Sequence, residues 1–194
     1  MENLENTRID KFDEIVKMGK RSSNDLIDYW KEYELYASVE YWILVAFLIG
    51  PLIILFFKID KSKIFLIGFF GYSIHIIFAY VDLFGKHAGF WNYPIPLIPH
   101  LPGLAIDSSL VPVSFMLVYQ WTLNNKKNYY IYSFITAIIF AFAIKPILVE
   151  LGLFRMYGNT NYVHLLIGYI FVLLVAKFIT NVFLWTQKKY TTPK

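Results

Sequence analysis

The chain of 194 residues is 57% hydrophobic and 20% aromatic, carries charge on only 16% of its residues, and has a mean hydropathy of +0.49. This composition predicts an integral membrane protein. The absence of cysteine excludes disulfides, thiolate metal sites, iron–sulfur clusters and cysteine nucleophiles. The net charge of +4 comes from lysines near the ends of apolar segments, which argues against nucleic acid as a partner.

Residues 1–38 are predicted to form amphipathic helices that precede the membrane domain. The stretch "TRID" fits a capping box at the start of the first helix. The apolar residues that share one face of this helix are Ile9, Phe12, Ile15 and Val16. A break is expected at Gly19, followed by a second helix of the same kind. Such helices are typical of segments that lie on bilayer headgroups, and binding to a partner subunit or a second copy is the alternative.

Five apolar stretches approach or exceed the ~20 residues that cross a bilayer core. They cover about 41–58, 64–83, 104–123, 129–149 and 162–185. Continuous apolar runs predict helices, because a membrane barrel would show shorter strands of alternating polarity. The predicted fold class is therefore all-α, a polytopic five-helix transmembrane bundle over residues 39–187, with a basic cytoplasmic tail at 188–194.

Prolines within three of these spans predict local distortion of the helix. Pro51, Pro112 and Pro146 each remove a backbone donor and crowd the preceding turn. We therefore expect kinks that open room between helices.

The distribution of basic residues predicts the orientation of the chain in the membrane. One set of span ends carries most of the lysines, namely Lys58, Lys61, Lys63, Lys126, Lys127, Lys188, Lys189 and Lys194. The opposite ends carry only Lys31, Lys86 and Arg155, with Lys145 inside a span. Since lysine and arginine are concentrated on the cytoplasmic side, the N-terminus is predicted outside and the C-terminus inside.

Ionisable residues inside a span cost roughly 2.5–3.5 kcal/mol each, so their positions mark a candidate site. The candidate ligand-binding residues, including aromatics of the adjoining connection, are His75, Asp82, Trp91, Tyr93, Asp107, Lys145, Glu150 and His164. All except His75, which is expected near the midplane, are predicted near the outer boundary. One interpretation is an ion-pair lattice that fixes helix registers. The other is a polar vestibule, open to the outside, that binds a solute or relays a proton.

The connection over residues 84–103 contains the stretch "FWNYPIPLIPHLPG", with four prolines. Prolines at this density forbid a regular helix and predict an extended path with few backbone donors. The connection is predicted to form either a rigid outer lid or a wall of the vestibule.

No cofactor or metal is predicted. His75 and His164 are expected at different depths, so they are not predicted to share a metal. No Walker-A loop, dinucleotide fingerprint, nucleophile elbow or metalloprotease motif is present, and the sequence leans toward a non-enzymatic protein.

The stretch "YVDLFGKHAGFWNYPIPLIPHLPGLAIDSSLVPVSFMLVYQW", followed by "NTNYVHLL", resembles an uncharacterised family of small five-span membrane proteins from Gram-positive, spore-forming bacteria. The resemblance covers about residues 40–185 and implies a bacterial plasma membrane and a five-helix bundle, without an activity. The pattern of an aspartate, "GFWNY" and a proline-rich turn is also similar to small membrane-bound lycopene cyclases. Those enzymes have an adjacent glutamate pair after the turn, where this chain has Asp107 and Ser108.

Three functions remain open from the sequence. The first is a non-enzymatic membrane protein with an outward-facing pocket that binds or passes a small solute, ion or proton. The second is a membrane enzyme that acts on a lipid or isoprenoid, with two carboxylates as acid and base. The third is a scaffold subunit whose N-terminal helices recruit a partner.

Overall fold

The computed structural model describes residues 2–191, with side chains described for residues 7–190. The helices are α1 (Glu2–Glu32), α2 (Val39–Lys58), α3 (Ile64–His87), α4 (Val111–Asn124), α5 (Tyr129–Ile139), α6 (Lys145–Glu150) and α7 (Tyr162–Thr191). Short 3₁₀ turns occupy Leu35–Ala37 and Lys61–Lys63, and π-helical turns occupy Ile106–Leu110 and Phe140–Ile144. Two short strands, β1 (Trp91–Asn92) and β2 (Arg155–Met156), pair antiparallel.

Four helical segments of the described chain are long and apolar enough to cross a membrane. They are Val39–Lys58, Lys61–His87, Tyr129–Glu150 and Tyr162–Tyr190. Large apolar side chains on these segments face outward, and Phe65 is 91% exposed. A soluble protein rarely exposes so much contiguous apolar surface, so the structure is consistent with a multi-pass membrane protein. The fifth predicted span, 104–123, is helical from 104 to 124 but is not among these four.

The helices pack around α3, which contacts both α4 and α7. Helix α5 packs against α4 and α7 on the far side, and α2 covers α4 and the π-helical turn before it. Ring contacts fill the interior, and the buried aromatic residues that make them are Phe70, Phe78, Phe115, Tyr119, Tyr129, Phe140 and Tyr169. Aromatic pairs of this kind stabilise a core beyond their burial alone.

The distortions predicted at Pro112 and Pro146 take the form of π-helical turns. Each proline follows a five-residue π turn by one intervening residue. A proline ring clashes with the carbonyl four residues earlier, and a wider turn relieves this crowding. Asp107 lies within the first π turn, and Lys145 directly follows the second.

The N-terminal region differs from the two helices expected on either side of Gly19. Helix α1 continues through this glycine without a break, because a single glycine costs an otherwise favourable helix only about 1 kcal/mol. Its predicted apolar row, Ile9, Phe12, Ile15 and Val16, is exposed and has no cover within the described chain. The C-terminal part of α1 is attached, since Trp30 Nε1 donates to the carbonyl of Pro96 at 3.1 Å.

Opposite ends of the bundle have different chemistry. At one end, the α2–α3 connection is joined to α4, because the backbone N–H of Asp60 donates to Gln120 Oε1 at 2.7 Å. Lys58, Lys61, Lys63, Lys126 and Lys127 lie at this lysine-rich end. The predicted basic tail begins within the last turn of α7, and residues 192–194, including Lys194, lie outside the described residues. The other end is formed by residues 88–103 and 151–161, and we call it the proline-rich end.

Candidate functional site

Two connections join at the proline-rich end and fix its shape. In the β1–β2 pair, Trp91 lies opposite Met156 and Asn92 lies opposite Arg155. The backbone N–H of Tyr157 also donates to the carbonyl of Phe90 at 2.9 Å. This pairing could not be predicted from the sequence, because two-residue strands carry no periodic pattern. The pairing holds Trp91 and Tyr93 over the end of α3.

Asp82 of α3 is the carboxylate with the most hydrogen-bond and ion-pair partners in this region. It is 3% exposed, and its Oδ1 accepts hydrogen bonds from Trp91 Nε1 and the Tyr93 hydroxyl, each at 2.8 Å. Its Oδ2 lies 2.8 Å from Lys86 Nζ, one helical turn further along α3. Hydrogen bonds and an opposite charge offset the cost of burying a carboxylate. Asp82 therefore ties the connection to the helix.

The hydroxyl of Tyr93 is held in its donor form. Burial, followed by the charges of Asp107 and Asp82, raises the pKa of Tyr93 well above the ordinary tyrosine value. A tyrosine in this environment keeps its proton at neutral pH, so it donates to Asp82 and does not act as a base.

A second carboxyl group, that of Asp107, lies beside Asp82 at the point where Gly103 has no side chain. A Cβ atom placed on Gly103 would collide with Asp107 Oδ2 and would lie 3.0 Å from Asp82 Oδ2. Only a glycine lets both carboxyl groups approach at this point. Asp107 is 7% exposed, and its Oδ1 has no hydrogen-bond partner within the described chain.

The π-helical turn that carries Asp107 also binds His75. The Nδ1 of His75 lies 2.9 Å from the backbone oxygen of Asp107, so the ring donates to this carbonyl. A π turn leaves the normal helical hydrogen-bond register, and its carbonyls can accept from side chains. His75 therefore positions the turn and does not present its ring to the carboxyl pair.

Lys145 is the third charged group buried here, at 3% exposure. Its Nζ lies 3.5 Å from the ring centroid of Phe154 and 5.4 Å from that of Tyr93, as in a cation–π arrangement. No ion pair joins it to a carboxylate among the described residues. We call Asp82, Asp107, Lys86 and Lys145 the buried charge cluster, and its formal charges sum to zero with all four groups ionised.

A small cavity of about 30 Å³ lies beside this cluster. Asp82, Lys145, Tyr169 and the exposed His164 line it, and the Tyr169 hydroxyl has no hydrogen-bond partner in the described part of the chain. A volume of this size holds one or two water molecules, and the polar lining supplies partners for them.

A much larger cleft of about 600 Å³ opens between α1 and the proline-rich connection. We call it the proline-rich cleft. Its lining includes the prolines at 94, 96, 99 and 102 and four residues that carry or can carry positive charge, namely Lys86, His87, His100 and Arg155. No aspartate or glutamate lines it among the described residues. Ser23 Oγ of α1 lies 2.8 Å from His100 Nδ1 and closes one side.

The structure brings together five of the eight predicted site residues: Asp82, Trp91, Tyr93, Asp107 and Lys145. His164 lies at the exposed rim of the small cavity and contacts Asn161 through its ring. His75 reaches the site only through the Asp107 carbonyl. Glu150 was grouped with these residues only because of its expected depth in the membrane. It is exposed and makes no ion pair in the described structure.

Sequence reasoning missed several residues that shape the site. Lys86 was expected among the bases that oppose the acidic residues at this depth but was not included in the predicted site, although its spacing of four residues from Asp82 indicates a helical ion pair. Gly103 and Phe154 carry no local signal, because their roles depend on close approaches between distant segments.

Comparison of the chain with protein-family models, curated proteins and solved structures found no match.

Proposed function

We propose that this chain is a non-enzymatic membrane protein that binds a small solute with an anionic group in the proline-rich cleft. The observation that carries the proposal is the lining of the 600 Å³ cleft, which has Lys86 and Arg155 and no carboxylate among the described residues. A cleft with one sign of charge and low-dielectric walls concentrates ligands of the opposite sign. Its volume suits a solute of a few to some tens of atoms.

The walls of the cleft are restricted in conformation, so a ligand can bind without a large rearrangement of the backbone. Four prolines restrict the backbone, and the β1–β2 pair fixes the position of Arg155. A pre-formed site loses little conformational entropy when a ligand binds. Lys86 and Arg155 can donate charge-assisted hydrogen bonds to phosphate, sulfate or carboxylate oxygens.

The proposed topology has five spans, with the 104–124 helix as the fifth, and an N-terminus outside. The helix packs between α2, α3 and α5, and the lysine-rich end gathers the basic residues expected in the cytoplasm. This arrangement places the proline-rich cleft at the outer face of a membrane, which the sequence resemblance suggests is a bacterial plasma membrane.

Helix α1 is proposed to lie at the outer membrane surface. Its exposed apolar row would rest on the acyl boundary, while its attachment through Trp30 holds it beside the cleft. Membrane lipids are the proposed partners of this row. Contact with a second copy or another subunit would cover the same residues.

One observation favours the alternative of a membrane enzyme, namely the approach of the Asp82 and Asp107 carboxyl groups. Paired carboxyls can serve as acid and base. However, both side chains are buried, and the adjoining cavity of about 30 Å³ admits water and not an isoprenoid chain. Solute binding in the larger cleft is therefore the better-supported function.

Direct binding measurements test the proposal. Purified protein in phosphatidylcholine nanodiscs is titrated with inorganic phosphate, glycerol phosphate and sulfate, and in a parallel arm the nanodiscs contain phosphatidylglycerol. Binding of the soluble anions indicates a free solute. If phosphatidylglycerol occupies the cleft and the soluble anions do not, the anionic group that binds belongs to a lipid headgroup.

Arg155→Gln is the decisive variant, because Arg155 is exposed and its loss leaves no buried charge unpaired. We expect it to weaken anion binding about tenfold or more, as for loss of a charge-assisted hydrogen bond worth about 1.5–3 kcal/mol. Lys127→Gln, at the lysine-rich end, is the matched control and should bind as the wild type does. Equal affinity in all three proteins, or no binding of any anion, would contradict the proposal.

A further inference from the structure

The part of the bundle nearer its lysine-rich end carries an apolar groove, separate from the proline-rich cleft. The groove has a volume of about 340 Å³ and lies between α5 and α7. No charged side chain lines it among the described residues, and its only polar side-chain groups are the hydroxyls of two tyrosines and a serine. Its volume falls within the range of small-molecule sites, roughly 300–1,000 Å³. The groove can therefore hold a substantial part of an apolar ligand.

The groove is open on the outer surface of the bundle. Ile131, Phe134 and Leu174 line it, and each of these side chains is 45–55% exposed. They belong to two of the segments that are long and apolar enough to cross a membrane. Lipid tails are as apolar as these side chains, so an acyl chain is an occupant of matching chemistry.

The ammonium group of Lys177 marks one end of the groove. Lys177 lies in α7, one helical turn beyond Leu173, which also lines the groove. Its Nζ lies 5.3 Å from the ring centroid of Tyr129, another lining residue, and donates to the Tyr119 hydroxyl at 3.1 Å. Tyr129 is the first residue of α5, so the ammonium lies where the groove approaches the lysine-rich end.

Lys177 makes no ion pair with a carboxylate among the described residues. Helix α7 and residues 124–128 between α4 and α5 contain no aspartate or glutamate. Asp60, at the same end of the bundle, is paired with Lys63 at 3.0 Å. An ammonium group has three donors, and the Tyr119 hydroxyl accepts only one of them. Because a lysine inside a span is costly unless it is paired, the remaining donors indicate an anionic partner from outside the chain.

We infer that the groove between α5 and α7 binds an acyl chain of an anionic phospholipid and that Lys177 pairs with the phosphate of this lipid. The groove begins beside Lys177 and follows α5 from Tyr129 to Phe134, which is the direction in which an acyl chain leaves its headgroup. A headgroup with net negative charge is favoured over a zwitterionic one, which carries a positive group of its own. The inference does not depend on anion binding in the proline-rich cleft, at the opposite end of the bundle.

Fluorescence quenching by brominated lipids tests the inference. Ile138→Cys, one turn beyond Phe134 on α5, is labelled with bimane in the cysteine-free chain. The labelled chain is placed in phosphatidylcholine nanodiscs with an equal small fraction of phosphatidylglycerol or phosphatidylcholine that is brominated in the middle of its acyl chains. We expect phosphatidylglycerol to occupy the groove with about fivefold higher relative affinity, as for an anionic lipid that meets one lysine.

Ile49→Cys on α2 is the matched control for the position of the probe. Ile49 lies nine residues before Lys58, the last residue of α2, and Ile138 lies nine residues after Tyr129, the first residue of α5. The two side chains are 49% and 38% exposed, and Ile49 does not line the groove. Position 49 therefore measures the general enrichment of anionic lipid near the lysine-rich end. The preference for phosphatidylglycerol should be clearly greater at position 138.

Two further substitutions separate the phosphate contact from the groove. Lys177→Met keeps a long apolar side chain and removes the charge, and Leu174→Trp fills the exposed groove, so each should abolish the preference at position 138. Lys189→Met removes another lysine of α7 that lies over an aromatic ring, 5.2 Å from the centroid of Trp185. Ile167→Trp adds the same ring to an exposed position of α7 outside the groove. These two controls should keep the preference.

Equal preference at positions 138 and 49, or a preference that persists in Lys177→Met or Leu174→Trp, would overturn the inference. Equal losses in the two control variants would indicate a general effect of charge or bulk and would overturn it as well. Weak quenching at position 138 by both lipids would show that a protein surface, such as a second copy of the chain, covers the groove instead of lipid. None of these outcomes bears on the proline-rich cleft, because the probe reports only lipid beside it.

Discussion

At the residue scale, the site depends on the meeting of Asp82 and Asp107, whose carboxyl oxygens both lie where a Gly103 side chain would stand. The sequence predicted that Asp82, Asp107 and Lys145 would converge, because ionisable residues within spans are costly alone. It also predicted a role for Trp91 and Tyr93. It did not predict that the two carboxyl groups would meet where Gly103 has no side chain, since that contact follows from a close approach between α3 and the start of the 104–124 helix.

Gly103→Ala tests this packing directly. A Cβ at this position would collide with Asp107 and crowd Asp82, so the carboxyl groups would have to move apart. We expect a loss of stability of about 1–3 kcal/mol, as for other overpacked sites, together with weaker anion binding. Thermal unfolding of the detergent-solubilised protein measures the first effect, and anion titration measures the second.

Gly68→Ala is the control for this substitution. Gly68 lies in α3 with no atom within 4 Å of a built Cβ, so alanine there should be neutral or slightly stabilising. Similar destabilisation by both substitutions would show that Gly103 has no special role.

At the scale of elements, spans and their bounds were the most predictable feature. Four predicted spans coincide within a few residues with long apolar helices, since a run of about 20 apolar residues has few alternatives in a membrane. The form of the proline distortions was not predictable, because proline can produce a kink or a π turn depending on its neighbours. The sequence also did not predict that α1 continues through Gly19. The break was expected there because glycine has a low helix propensity, which is a weak local effect.

A single-residue deletion tests whether the second π turn is an insertion in an otherwise regular helix. Deleting the exposed Ala143 should convert the turn to regular α-helix and keep Lys145 buried, because a π turn contains one residue too many. We expect a folded, monodisperse protein in size-exclusion chromatography, with its thermal midpoint only modestly lowered.

Deleting the exposed Ile135 from the regular part of α5 is the matched comparison. This deletion rotates one part of the helix by about 100° relative to the other and moves its buried face out of the core. It should abolish folding. Equal tolerance of the two deletions would contradict the assignment of the π turn.

At the scale of the whole molecule, the proposed binding of an outer solute needs the two ends of the bundle to face opposite sides of a membrane. The lysine-rich end and the proline-rich end differ in charge and in structure, and from the positive-inside tendency we propose that the first faces the cytoplasm. The sequence predicted from the lysines which ends of the spans lie together, and the side of the membrane that each end faces stays a prediction. It could not predict the volume or lining of the cleft, which arise from α1 and two separate connections.

Cysteine labelling tests the orientation, and the chain offers a cysteine-free background. Glu150→Cys lies near the proline-rich end and Lys127→Cys at the lysine-rich end, and both positions are exposed. In intact cells a membrane-impermeant maleimide should label position 150, whereas position 127 should react only after permeabilisation. The reverse pattern would place the cleft on the cytoplasmic side.

Anion binding in the proline-rich cleft is tested most directly by a crystal structure with selenate, an anion that scatters anomalously. We predict a selenium peak in the proline-rich cleft within hydrogen-bond distance of both Lys86 and Arg155, and no such peak in Arg155→Gln crystals soaked in the same way. A cleft that stays empty at saturating selenate, while peaks appear only on other surface lysines, would contradict it.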